Sequence, residues 1–187
     1  MLDATADGEI CYDDLPARLR TGFVRPPLTE REMQACEAKL GFPLPPLLRD
    51  LYVQIADGGF GPAGGIYGLK DEPNDWWGGL VTWYRQLKKH HRLVSLTDLK
   101  QRASPDHMIN LPGYVWPEQL LQFCTWGCGN FAAIDRGTGH ILYLTPGPGG
   151  NRLFEYTHAS LSDWLEDWLA ETLDMDTRRY DGRHRHG

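Results

Sequence analysis

Several groups of residues have types and spacings that chemistry can use. The stretch from Gly58 to Gly68 holds six glycines, and a glycine-rich turn can wrap backbone N–H groups around a phosphate. This run lacks the Gly-Lys-Ser/Thr ending of a phosphate loop and follows an apolar helical pattern instead of a strand. Without a strand-to-helix context the anion site is not assembled, so a helix stop is expected. Cys124 and Cys128 stand four residues apart, with His140 downstream. Zinc spacing normally supplies a second pair of ligands, and both cysteines fall in apolar segments, where a reduced thiol packs as a small hydrophobe. A Cys–His nucleophile pair has no flanking motif to support it. His184-Arg185-His186 is weighed as a metal-binding tract against a disordered tail, and the tail is the expectation. Asp163, Glu166, Asp167 and Glu171 are spaced to share the outer face of a helix, opposite its Trp and Leu stripe. Acid–base work needs a cleft, so a solvated face is expected there.

The loop Asp71-Glu72-Pro73-Asn74-Asp75-Trp76-Trp77 is different in kind. It sets three carboxylates beside two adjacent large aromatics. Neighbouring residues at a helix start cannot both face one core, which frees one Trp to anchor a partner within an acidic rim. The alternative packs both rings beneath the loop. Asp71, Glu72, Asp75, Trp76 and Trp77 are therefore the candidate partner-binding residues. No catalytic residue, metal ligand or cofactor is expected.

The elements that must position these groups read as follows. Residues 1–28 form an N-terminal arm ending in Arg25-Pro26-Pro27, an extended approach because proline lacks the N–H. Thr29 with Glu32 fits a capping box and opens a helix that Gly41 ends. The spacer Phe42-Pro43-Leu44-Pro45 separates it from a helix over 46–56, with Leu47, Leu48, Leu51, Tyr52 and Ile55 on one face. Asp57-Gly58-Gly59 stops that helix. A short strand is expected at Ile66–Leu69 and a helix from about Trp76 to His91. Residues 92–113 resist assignment, apart from a strand candidate at Leu93–Leu96. Strands are expected at 119–126, 130–135 and 140–145, the last two joined by the turn Arg136-Gly137-Thr138-Gly139, and a shorter one at 153–156. Ser160 caps a closing helix with Asp163 at its third position, and Leu161, Trp164, Leu165, Trp168, Leu169 and Leu173 as its stripe. A flexible basic tail takes 176–187.

Helices, then strands, then a helix indicate an α+β domain. A chain of 187 residues fits one such domain with extensions. The net charge of −6 argues against a nucleic-acid binder, which needs a basic face, and suits a basic protein partner. Arg85, Lys88, Lys89, His90, His91 and Arg92 cluster locally, and a solvated helix face is the expectation. No apolar run approaches membrane length. Four cysteines without a dense framework, and no leader-like start, place the chain in a reducing cytoplasm.

Three groups of residues in this order resemble a known family. The first is Leu40-Gly41-Phe42-Pro43-Leu44-Pro45, followed by Leu48-Arg49-Asp50-Leu51-Tyr52 and Asp57-Gly58-Gly59-Phe60-Gly61-Pro62. The second is Trp126-Gly127-Cys128-Gly129 with Ile134-Asp135 and Gly137-Thr138-Gly139. The third is Ser160-Leu161-Ser162-Asp163-Trp164-Leu165. Together they look like the SUKH (Smi/Knr) superfamily over about residues 29–175. The resemblance implies a mostly antiparallel sheet flanked by N-terminal and C-terminal helices. It also implies a non-catalytic protein-binding module, in bacteria largely an immunity protein that binds a toxin, often a nuclease. A regulatory or scaffolding module for an endogenous protein is the alternative. Physics gives the motif residues Gly41, Pro43, Gly58, Gly59, Trp126, Gly127, Gly129, Asp135 and Gly139 structural work: helix exits, close backbone approach and a turn held by the Asp135 carboxylate.

Overall fold

The computed structural model describes residues 24–62, 64–71, 79–96 and 108–173. The arm through residue 23, the tail 176–187 and residues 72–78 lie outside the described residues. The end of the arm is part of the core: Val24 and Leu28 are buried, and the Leu28 N–H donates to the Tyr52 carbonyl at 2.8 Å.

Helix α1 (Glu30–Leu40) starts where its capping chemistry requires. The Thr29 hydroxyl accepts from the Glu32 N–H while the Glu32 carboxylate accepts from the Thr29 N–H. Gly41, at φ 86°, closes the helix by donating to the Glu37 carbonyl. Helix α2 (Pro46–Gln54) places Pro in its first turn, where no N–H is needed, and turns Leu48 and Tyr52 inward. Helix α3 (Leu80–His90) begins four residues later than the sequence pattern implied.

Strands β1 (Arg92–Val94), which overlaps the candidate at Leu93–Leu96, and β2 (Met108–Pro112) fall in the region 92–113 that resisted assignment; β3 (Val115–Pro117) follows it and pairs with β1 in parallel. At three residues each, β1 and β3 are too short to show an alternation. Strands β4 (Leu120–Gly127), β5 (Asn130–Asp135), β6 (Ile141–Pro146) and β7 (Asn151–His158) join β2 in a five-stranded antiparallel sheet of order β2-β7-β6-β5-β4. Helix α4 (Leu161–Leu169) follows, capped by the Ser160 hydroxyl on the Asp163 N–H at 3.1 Å. The expected strand at Ile66–Leu69 is a single bridge from Ile66 to Cys124, supported by Tyr67 N–H to the Phe123 carbonyl at 2.8 Å.

The architecture is α+β, with helices leading and closing around an antiparallel sheet. Alternation along the strands divides the core in two. Leu121, Phe123, Ala132, Ile134 and Ile141 pack with Met33, Leu48, Tyr52, Leu161 and Trp164. Their neighbours Leu120, Ala133, Leu142, Leu144 and Phe154 pack on the opposite face with Leu87, Leu96 and Trp116. Helix α3 serves both faces: Leu80, Val81 and Tyr84 join the first cluster and Leu87 the second. Among the largest ring contacts are Phe123 on Trp164, centroids 5.2 Å apart, and Trp116 on Phe154 at 5.8 Å.

Candidate functional site

Of the five candidate partner-binding residues, Asp71 is described and Glu72, Asp75, Trp76 and Trp77 lie outside the described residues. The Asp71 carboxylate reaches across the loop to α3. One oxygen accepts from the Gly79 N–H and the other from the Thr82 hydroxyl, both at 2.7 Å. Gly79 is the residue before the helix and has no side chain to cap it. Asp71 thus does the capping from eight residues away, satisfying donors that the first turn leaves open and setting a negative charge at the positive end of the helix.

The motif glycines sit where the chain turns. Gly58, at φ 82°, lies against the backbone of Gly68, so close that an added Cβ would stand 2.3 Å from the Gly68 nitrogen. Gly59 is also left-handed, and Pro43 is exposed in the α1–α2 spacer. The buried Asp135 carboxylate accepts from the Gly137 N–H at 2.9 Å and the Thr138 hydroxyl at 2.8 Å, while its carbonyl accepts from the Gly139 N–H at 2.7 Å. Beside Gly58, Arg25 donates to the Asp57 carbonyl at 2.7 Å, and the Asp57 carboxylate accepts from the Leu69 N–H at 2.6 Å. Burial pushes the Asp57 carboxyl above its ordinary range, partly offset by the Leu69 N–H and Arg25.

The groups weighed for other chemistry are dispersed. Cys124 is buried with its thiol on the Pro62 carbonyl at 3.8 Å, and burial pushes its ionisation far above the usual thiol range. Cys128 is exposed, and the His140 ring stands edge-on to Tyr156. Asp167 accepts from His158 at 3.2 Å and Glu166 from the Ser162 hydroxyl at 3.3 Å. Among the described residues no three His, Cys, Asp or Glu side chains gather in a metal-binding group.

A cleft of about 860 Å³ lies at one end of the sheet. Phe131 of β5, Leu144 of β6 and Arg152 of β7 line it, together with Tyr67 and Trp83. The turn Gly127-Cys128-Gly129 lines its rim, with all three residues left-handed at φ 77°, 52° and 81°. Behind the turn, Trp126 packs edge-on against Tyr143 at 4.2 Å. Sequence reading singled out the turn and missed Tyr67, Trp83 and Arg152, which are brought together from three distant segments with no shared motif.

The family model described as the SMI1 / KNR4 family (SUKH-1) matches residues 27–167. The chain belongs to this SUKH family. Neither the curated proteins nor the solved structures returned a match. The SUKH match begins just before the capping box of α1 and ends within α4. It therefore takes in both helical flanks, the whole sheet and the rim turn of the cleft. Among the described residues of this SUKH domain, no helix is long and apolar enough to cross a membrane.

Proposed function

We propose that this SUKH domain is a non-catalytic protein-binding module of the cytoplasm, an immunity protein that neutralises a toxin by direct binding. The observation that carries the reading is the family match over residues 27–167. The chain's net charge of −6 supports it. A toxin nuclease must neutralise phosphate and so presents a basic face, which an acidic surface complements and covers. The acidic loop Asp71, Glu72, Asp75, with Trp76 and Trp77 as anchors, is the surface we assign to that contact. Its carboxylates speed encounter, and its indoles supply desolvated area.

Co-expression with the product of each adjacent gene tests the reading. A basic polypeptide whose toxicity disappears on co-expression, and which co-purifies with this chain, is the expected result. Survival unchanged by the chain against every neighbour would refute immunity. The contact surface is tested with Glu72→Lys and Asp75→Lys, which should slow association about tenfold at low salt. Asp71 is kept intact in that pair because it also caps α3. Unchanged association would remove the loop as the contact.

A further inference from the structure

Arg152 is the unusual cation of this fold. It leaves β7 among apolar neighbours, and its guanidinium carbon lies 5.7 Å from the Trp116 ring centroid. It is half-buried, and burial alone lowers its pKa from the ordinary guanidinium value. A guanidinium withdrawn from water normally has a carboxylate to compensate the lost hydration. Among the described residues none pairs with it. Its close titratable neighbour is His91, whose ring stands edge-on to Trp116 at 6.4 Å. Burial and the Arg152 charge hold that imidazole toward its neutral form. The guanidinium thus has an aromatic face and a neutral ring beside it, and Arg152 lines the 860 Å³ cleft.

The rest of the cleft is complementary to an apolar body. Phe131 and Leu144 line it, and Tyr67 and Trp83 flank it. At the rim, Cys128 holds a left-handed conformation that a side-chain-bearing residue adopts at a cost of about 1 kcal/mol. A Cβ at Gly127 would meet nothing within 4 Å, whereas one at Gly129 would stand 3.0 Å from the Pro146 ring. A volume of this size suits a small molecule.

We infer that this cleft is a binding site for a small carboxylic acid on an apolar, preferably aromatic, body. The carboxylate pairs with Arg152 and the body lies between Phe131, Leu144 and the Trp83 indole. The inference is independent of the proposed toxin contact, which concerns a protein partner.

The test uses 2-naphthoate as probe and 2-naphthamide as its uncharged match, with the full chain and indole N–H resonances as readout. Naphthoate should shift Trp83 and bind about tenfold more tightly than the amide, the factor expected of one charge-assisted hydrogen-bonded pair. In Arg152→Gln the two probes should bind alike. In Arg152→Lys, which keeps the cation, a reduced preference for the acid should remain, so the inference stays testable if the Gln variant does not fold. Alkylating the exposed Cys128 with N-ethylmaleimide should cut naphthoate binding, and Cys128→Ser should abolish that effect. Equal binding of acid and amide, or an unchanged preference in a folded Arg152→Gln variant, would overturn the assignment.

Discussion

Replacing Gly58 with Ala isolates the close backbone approach that joins the α2 exit to the following loop. Two costs add. The left-handed φ of 82° costs an L-residue about 1 kcal/mol. The new methyl would then stand 2.3 Å from the Gly68 nitrogen, 2.6 Å from its Cα and 2.7 Å from the Tyr67 carbonyl carbon. Comfortable contact is about 3.5 Å or more, so the two backbones must part by about 1 Å. They are tied across this point by Gly59 N–H to the Ile66 carbonyl at 3.0 Å and Leu69 N–H to the Asp57 carboxylate at 2.6 Å. Parting them loses one buried hydrogen bond, about 2 kcal/mol. The total is about 3 kcal/mol, a fall in Tm of about 9 °C for a domain of this size. Gly127→Ala is the matched control. Its φ is 77°, yet a Cβ there meets nothing within 4 Å, so only the conformational cost of about 1 kcal/mol applies, a fall of about 3 °C. Thermal and urea unfolding followed by tryptophan fluorescence gives both values. Equal destabilisation by the two substitutions would refute the close-approach argument and leave left-handed φ as the whole reason for both glycines.

Trp164→Ala should cost about 4 kcal/mol by opening a cavity beside Phe123, whereas Trp168→Ala, from the half-buried edge of the same helix, should cost much less; urea midpoints of the two variants check the order. Hydrogen bonds from the Thr29 hydroxyl and N–H and from Lys70 hold the Glu32 carboxyl at about 2. Because that value is depressed, its stabilisation is full above the unfolded carboxylate range and is lost as pH falls toward 2. The Tm gap between the native chain and Glu32→Ala should accordingly shrink between pH 5 and about 2, and a gap constant with pH would contradict the capping assignment. Asp71→Ala should destabilise by about 1 kcal/mol through the loss of the α3 cap, with Asp71→Asn retaining part of it, as hydrogen exchange at Gly79 would show.

Much of the fold is legible locally. The capping box at Thr29 and Glu32, the Gly41 exit and the Ser160 cap each depend on hydrogen bonds within three or four residues, Pro46 fits a first turn because it needs no N–H there, and all are present. Strand β5 keeps the bounds its apolar pattern gave, Asn130–Asp135, and β7 extends four residues beyond its pattern because the chain remains paired to β6 and β2. The late start of α3 is settled by Asp71, whose carboxylate caps Gly79 from a distance that no short-range motif spans. The family signature was legible too, since its glycines and caps mark turns by residue type, although the close approach of Gly58 to Gly68 appears only in the fold.

The sequence by itself determined where the chain turns, which helix faces are apolar and what net charge the surface carries. Those properties follow from residue type and near neighbours. Only tertiary structure decided that Arg92 would face Val115 in a parallel pair, that β7 would lie between β2 and β6, and that Tyr67, Trp83, Cys128 and Arg152 would enclose one cleft. Such contacts close long loops, and their energy lies in packing and desolvation between segments that carry no mark of one another. Arg152 illustrates the limit: in sequence it is one more cation on a polar-looking strand edge, and its burial over Trp116 exists only once β3 and β7 have been brought together.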